Sequence, residues 1–105
     1  MALASARGVQ TCFVWQPVPM YKFNLKNHPT PANGFGRHNR SASGYEYMAS
    51  WLQTNAPPSN FLDLADFQEN RDEPLYVDNV HYSAHMCDML AVEIAQFLTD
   101  HHLAN

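Results

Sequence analysis

The sequence is poor in positive charge and has no long apolar run. It carries six Lys and Arg against ten Asp and Glu, for a formal net charge of −4. Nucleic-acid-binding proteins show a basic patch, so we expect no nucleic-acid partner. A membrane-spanning helix needs about 20 consecutive apolar residues, and we expect no membrane span. Residues 1–7 also lack the charged start and long apolar stretch of a signal peptide, which favours a soluble, intracellular chain.

Cysteine is scarce as well. Cys12 and Cys87 are the only two, which is too few for a disulfide framework. Cys12 lies in a predicted strand and Cys87 on a predicted helix, so both are interpreted as small buried hydrophobic side chains. Nothing in the sequence indicates a cofactor.

The apolar content is sufficient for one small domain. Of the 105 residues, 46% are hydrophobic and 15% are charged, a composition typical of globular rather than disordered chains. At this length we expect a single domain over residues 1–105. A chain this short buries a smaller fraction of its surface than a longer domain does.

Helix and strand patterns alternate up to residue 66. Residues 2–7 are typical of a helix end capped by Gly8, and the apolar run 12–15 predicts a strand buried on both faces of a parallel sheet. Residues 44–55 predict an amphipathic helix, and a second strand or strand-like connection follows within residues 60–66. The apolar face of the helix consists of Tyr45, Met48, Trp51 and Leu52. This order favours an α/β fold with three layers, in which helices flank a partial parallel sheet.

Residues 20–43 form a long stretch with no helical or strand period. Irregular loops of this length are uncommon in compact domains and often bind ligands. A substrate-facing loop is one interpretation, with Tyr21, Phe35, Arg37 and His38 as candidate substrate-binding residues. A flexible surface excursion is the other, and the sequence leaves both open.

The candidate catalytic residues lie in the segment that begins at Leu75. The apolar run 75–77 predicts a short buried strand, and Asp78 and His81 follow in the loop that leaves it. Ser83 is well placed to cap a helix. The helix that follows has an apolar face of Met86, Leu90, Ile94, Phe97 and Leu98.

The pair Asp78 and His81 has the spacing of an acid–base dyad. A neutral imidazole takes a proton from a nucleophile only when its other nitrogen is held in the right tautomer, and a nearby carboxylate provides this and stabilises the imidazolium. Two intervening residues in a tight loop let both side chains point the same way. The spacing alone is a weak signal, because a His three residues from an Asp is ordinary in polar loops.

The same segment resembles the C-terminal block of the SGNH (GDSL-type) serine esterases and lipases. The resemblance lies in Tyr76-Val77-Asp78-Asn79-Val80-His81-Tyr82-Ser83, with a hydrophobic final helix containing Leu90-Ala91 and Ile94-Ala95. It implies a flavodoxin-like half-fold in which Asp78 is the acid and His81 the base of a Ser-His-Asp triad. The family usually has a small residue early in this helix, where this chain has His85-Met86-Cys87.

The nucleophile block of that family is missing. The chain has no Gly-Asp-Ser, no Gly-x-Asn-Asp-like block and no Gly-x-Ser-x-Gly elbow. Its serines are Ser5, Ser41, Ser43, Ser50, Ser59 and Ser83. We therefore expect the C-terminal portion of a hydrolase, a very poor esterase by itself, which acts on a small-molecule ester when an N-terminal half completes it. The first strand of such a half-sheet has an open edge, and self-association through that edge is expected.

Two alternatives remain open. His81 and His85 lie four residues apart, with Asp78, Cys87 or Asp88 nearby as further metal ligands, although a recognisable zinc site needs three or four ligands at known spacing. The other alternative is a non-catalytic interaction domain, which binds a partner through the loop 20–43 or the open sheet edge. The missing serine favours that alternative, and the intact Asp78–His81 pair argues against it.

Overall fold

A computed structural model describes residues 2–30 and 34–103. The described chain contains three helices, α1 (Ala2–Ala6), α2 (Arg40–Thr54) and α3 (Ala84–Asp100), and two strands, β1 (Phe13–Trp15) and β2 (Phe61–Asp63). Short 3₁₀ turns lie at Leu25–Asn27 and Gly36–Asn39. Mixed helix and strand around a small parallel sheet confirms the coarse α/β prediction.

The sheet consists of β1 and β2, which pair in parallel with Phe13 opposite Phe61 and Trp15 opposite Asp63. Phe13 donates its main-chain N–H to Asn60, and Leu64 donates to the carbonyl of Trp15. The connection between the strands contains α2, as parallel pairing requires a long crossover. The strands predicted at residues 12–15 and within residues 60–66 are therefore present.

Burial of β1 differs from the prediction. Phe13 is 40% exposed, so the strand is not buried on both faces along its whole length. Val14 packs against the main core, and Trp15 stacks on Tyr45 of α2 with ring centroids 4.5 Å apart. Phe13 lies at the start of the strand, where the described residues cover it only in part.

The core consists of two clusters. The larger one joins the sheet to α3 and contains Phe23, Leu64, Leu75, Tyr76, Met86 and Leu90. The smaller one joins the loop after β1 to α2 and contains Tyr21, Tyr45 and Ala65, with Trp15 and Val18 packed against it. Leu75 and Met86 are completely buried.

The loop after β1 is held by side chains rather than by main-chain pairing. Tyr45 donates its hydroxyl to the carbonyl of Gln16 at 2.5 Å, and Tyr82 donates to Pro17 at 2.6 Å. The amide of Gln68, a buried residue, donates to the carbonyls of Val18 and Tyr21. Pro17 and Pro19 have no N–H to offer a neighbouring strand, so this loop depends on donors from elsewhere in the chain.

Helix α2 begins four residues earlier than predicted. The predicted start was residue 44, but the 3₁₀ turn Gly36–Asn39 continues directly into α2 at Arg40. Ser41, Ser43 and Gly44 are weak helix formers, which is why the sequence pattern places the start too late. Of the predicted apolar face, Tyr45 is buried and Trp51 is exposed.

The predicted strand at residues 75–77 is wrong. Only Tyr76 makes a bridge, an isolated antiparallel one with Tyr82. The N–H of Val77 donates to the carbonyl of His81, and that of Ser83 to Leu75. The chain therefore turns back on itself and pairs locally instead of joining the sheet, and Val77 is exposed.

The predicted cap residues of α1 and α3 are confirmed. Gly8, just after α1, has φ +67°, which is the left-handed geometry of a cap residue. Ser83 caps α3, since its hydroxyl oxygen accepts the N–H of Met86 at 3.2 Å. Met86 and Leu90 are the buried residues of α3, as the apolar face predicts.

Candidate active site in the loop before the last helix

Two tyrosines fix the base of the loop that carries Asp78 and His81. Tyr76 precedes the loop and donates its hydroxyl to Gln68, while Tyr82 follows it and donates to Pro17. Burial raises the pKa of both hydroxyls, so both remain protonated donors at neutral pH. The loop thus projects from a base anchored to the segment after β1.

Asp78 uses both carboxylate oxygens. Oδ1 accepts the N–H groups of Val80 at 2.8 Å and His81 at 2.7 Å, and Oδ2 contacts Nδ1 of His81 at 2.7 Å. These donors favour the ionised form. The N–H groups of Val80 and His81, followed by the His81 ring, lower the pKa of Asp78 from 3.8 to about 2.

The contact with Asp78 fixes the tautomer of His81. An ionised carboxylate can only accept, so Nδ1 of His81 carries the proton and donates it. In the neutral imidazole Nε2 is therefore the unprotonated nitrogen, and no described residue hydrogen-bonds to it. The His81 side chain is 72% exposed and that of Asp78 52%. Both spacing and orientation are those of an imidazole base held by a carboxylate.

The described residues place an imidazole beside a carboxylate but form no complete reaction site. They form no cavity that could enclose a small molecule, and no serine hydroxyl among them hydrogen-bonds to His81. Ser83 lies nearest in sequence, and its hydroxyl is engaged with the N–H of Met86. Ser83 is therefore a helix cap, as the sequence predicts.

The structure packs two of the four predicted substrate-binding residues into the core. Tyr21 is buried against Tyr45, with ring centroids 5.5 Å apart, and Phe35 is buried against the ring of His28 at 5.2 Å. Arg37 is exposed and His38 is half-buried, both in the 3₁₀ turn before α2. No described hydrogen bond joins any of the four to Asp78 or His81, and their contact with a substrate stays a prediction.

The loop 20–43 is packed rather than a free surface excursion over its described part. Residues 31–33, including Pro31, lie outside the described residues. On either side of them, Phe23, His28 and Phe35 are buried. The interpretation of this loop as a flexible excursion is therefore wrong for the residues that the structure describes.

His28 is the residue near the site that sequence reasoning missed. It is 3% exposed, and its Nε2 lies 3.2 Å from the main-chain oxygen of Asp78. The contact spans 50 residues of sequence. A lone His-Pro in an irregular loop carries no sequence pattern that could have predicted it.

The candidate metal ligands do not come together. His85 Nε2 lies 3.1 Å from Glu73 Oε2, whereas His81 bonds to Asp78. Within residues 2–30 and 34–103, no three His, Cys, Asp or Glu side chains are placed to hold a metal ion. Cys87 is exposed and Cys12 half-buried, so the prediction of two buried cysteines is wrong. The reason is that Cys87 lies beside the buried face of α3 rather than on it.

In the part of the chain that the structure describes, no helix has the length and apolarity needed to span a membrane. No protein-family model, curated protein or solved structure gives a significant match to this chain. Interpretation of the site therefore rests on its own geometry and on the resemblance of the segment 76–83.

Proposed function

We propose that this chain is the C-terminal part of an SGNH-type serine esterase or lipase, with Asp78 and His81 as the acid and base of a Ser-His-Asp triad. One observation carries the proposal, namely the 2.7 Å contact between Asp78 Oδ2 and His81 Nδ1. It leaves Nε2 of His81 unprotonated and open to an incoming hydroxyl. The substrate class is a small-molecule ester.

In this proposal the nucleophile is a serine of a Gly-Asp-Ser block that lies outside these residues. Nε2 of His81 takes the proton of the serine hydroxyl as its oxygen attacks the ester carbonyl, and Asp78 stabilises the imidazolium that forms. The proton then passes to the leaving alkoxide, which departs as the alcohol. A water molecule, deprotonated by the same nitrogen, cleaves the acyl-serine and releases the acid.

The three-layer fold belongs to the same proposal. Val14 and Leu62 pack on the cluster that includes α3, while Trp15 stacks on α2. Because neighbouring residues of a strand point to opposite sides, the contacts of Val14 and Trp15 support helices on both faces of β1. The proposed complete domain continues this sheet with further parallel strands.

The edge of β1 supports such a continuation. Phe13 and Trp15 direct their main-chain groups towards β2. By alternation, the N–H and C=O of Val14 point to the opposite edge, which no described strand occupies. A third strand at this edge would also cover Phe13.

The amount of exposed surface also supports a continuation of this domain beyond the two strands. The accessible surface is 7179 Å², whereas a folded monomer of 11.9 kDa exposes about 6,000 Å². The radius of gyration is 15.5 Å, against about 13 Å for a compact domain of this length. More surface is exposed than a self-sufficient domain of this size exposes.

The exposed apolar side chains favour a second candidate, a non-catalytic interaction domain. Phe13, Tyr47 and Trp51 are large and exposed, and a partner protein could cover them without any chemistry. In this second proposal the Asp78–His81 contact only shapes the loop. The two candidates differ in whether His81 affects the reactivity of a serine.

Labelling with a fluorophosphonate probe tests the first candidate. The probe is applied to the chain alone and to the chain joined to the polypeptide encoded directly upstream. The mass of each intact protein is then measured by mass spectrometry. We expect no adduct on the chain alone and one adduct on the Gly-Asp-Ser serine of the joined protein. In a His81→Ala variant the labelling rate should fall by about 10⁴-fold or more, since removal of a triad base has effects of this size.

Three outcomes contradict the proposal. An adduct on one of the serines of this chain would place the nucleophile within it. Labelling of the joined protein that is unchanged by His81→Ala, or an upstream segment without a Gly-Asp-Ser serine, would favour the interaction domain instead.

A further inference from the structure

We propose that His28 is a positioning residue that holds the main chain of Asp78, and through it the orientation of His81, by a neutral imidazole bridge from the loop 20–43. Its effect on turnover rests on the proposed function. Its effect on the Asp78–His81 pair does not, and can be measured in this chain alone.

The bonding partners of His28 determine its protonation. Nδ1 lies 3.1 Å from the main-chain N–H of Thr30, and Nε2 lies 3.2 Å from the main-chain oxygen of Asp78. A main-chain N–H can only donate and a carbonyl can only accept. Nδ1 is therefore the acceptor, and Nε2 carries the proton that it donates to Asp78. Only the neutral Nε2-protonated tautomer satisfies both bonds.

Three aromatic rings hold the imidazole in place. Phe35 and Phe23 meet it edge-on, at 5.2 Å and 6.5 Å between centroids, and the ring of Tyr76 is tilted to it at 6.4 Å. With 3% of its surface exposed, the ring cannot swing to another partner. A hydrogen-bonding group fixed in this way is preorganised, and it specifies the position of what it binds.

The bridge acts on the residue that orients the base. The carboxylate of Asp78 is held by Val80 and His81, which lie within the same loop. Those bonds set the shape of the loop but not its placement on the body of the protein. The bond from His28 fixes the main chain of Asp78 to a segment 50 residues away. The irregular loop 20–43 thereby acquires a role at the site without contacting a substrate.

Two matched substitutions separate this role from packing. His28→Phe keeps an aromatic ring among Phe23, Phe35 and Tyr76 but has no donor. His28→Gln loses the ring but can place an N–H donor near the position of Nε2. If the bridge positions Asp78, His28→Gln should keep the position of the Asp78 main chain that His28→Phe loses. If His28 serves only as packing, the order should be the reverse.

The readouts are amide exchange and carboxylate titration, both by NMR on the 105-residue chain. In His28→Phe we expect the amides of Val80 and His81 to exchange about five- to tenfold faster, the size of one lost hydrogen bond. The Asp78 titration should move up from its low midpoint. Amides in the middle of α3 should exchange as in the unmodified chain, and His28→Gln should restore both readouts.

A second variant applies if His28→Phe does not fold. Thr30→Pro removes the N–H that holds Nδ1 as an acceptor, at an exposed position, and leaves the ring in place. The ring then loses one of the two hydrogen bonds that orient Nε2 towards the carbonyl of Asp78. We expect the same local increase in exchange at Val80 and His81.

Unchanged exchange and titration in a folded His28→Phe, or in Thr30→Pro, would overturn the proposal. An increase spread equally over α3 would overturn it too, because it indicates general loss of stability. These readouts do not involve ester hydrolysis, so their failure is distinct from failure of the proposed function. In a completed hydrolase, His28→Phe should lower kcat by about ten- to a hundredfold with KM little changed.

Discussion

At the scale of single residues, Asp78 is the carboxyl group of the site whose pKa is lowered well below its ordinary value. Its carboxylate accepts two main-chain N–H groups and the ring of His81. Each of these bonds is made to the ionised form, so the folded loop holds the charge more strongly than an unfolded chain does. The acidity of Asp78 therefore measures how well the loop is formed.

This acidity predicts how stability depends on pH. The pKa of Asp78 falls from 3.8 unfolded to about 2 folded, so the unfolded state binds the proton more readily. The contribution of Asp78 to stability is thus fully present above pH 3.8 and is lost as the pH falls towards 2. Asp78→Asn should remove this part of the acid dependence. The measurement is the free energy of unfolding of both proteins across this range.

Asp88→Asn is the matched control for that titration. Asp88 is an exposed carboxylate on α3 that accepts no hydrogen bond from another described residue. Its variant should keep the acid dependence of the unmodified chain. Parallel stability curves for Asp78→Asn and the unmodified chain would show that the loop bonds do not act on this carboxylate in solution.

At the scale of elements, α3 supports both the core and the site. Met86 and Leu90 are the buried residues of α3. Only Tyr82 and Ser83 lie between His81, the last residue of the Asp78–His81 loop, and the first residue of the helix. The start of α3 is therefore also the end of the loop. A change at the cap should affect both.

Ser83→Ala should destabilise the chain by about 1 kcal/mol, the usual cost of a lost N-cap side chain. The hydroxyl of Ser83 accepts the N–H of Met86 at 3.2 Å, and alanine leaves that group without a partner. Ser83→Asn, which can also cap, should recover most of the loss. The free energy of unfolding in urea measures it.

Ser50→Ala on α2 is the comparison for this substitution. Ser50 is exposed and makes no described side-chain hydrogen bond, so its loss should cost little. Equal effects of the two alanine substitutions would mean that the Ser83 hydroxyl does not cap α3.

Sequence patterns predicted the elements whose cause is local. The apolar run of β1, the cap at Ser83 and the periodic face of α3 all arise within one element, and each is present. The strand at residues 75–77 failed because its main chain pairs with residues 81–83, and the apolar pattern does not distinguish the two pairings. The Asp78–His81 pair was predictable because only two residues lie between its members. The bridge from His28 was not, because only the fold brings residue 28 to residue 78.

At the scale of the whole molecule, the sheet has an edge that is not paired. Self-association through this edge follows from an unpaired strand beside an exposed aromatic side chain. Phe13 is 40% exposed at the start of β1. Because further strands are absent from residues 2–30 and 34–103, a second copy of the chain could take their place.

We expect the apparent mass of the chain to rise with concentration in analytical ultracentrifugation, and Phe13→Lys to keep it monomeric. A charge at this position opposes the approach of a second strand edge. Val92→Lys is the control, since Val92 is 67% exposed on α3 and lies away from the sheet. A monomer at every concentration, or an equal effect of both lysines, would contradict association through β1.

The way in which the loop after β1 is held determines which of its positions tolerate substitution. Its carbonyls are held by the hydroxyls of Tyr45 and Tyr82 and by the amide of Gln68. A main-chain carbonyl is present whatever the side chain, so an exposed position such as Gln16 is free to vary. The shape of this segment is encoded at distant positions, in the side chains that donate to it. Redesign of the loop would therefore begin at the two tyrosines and the glutamine rather than within the loop itself.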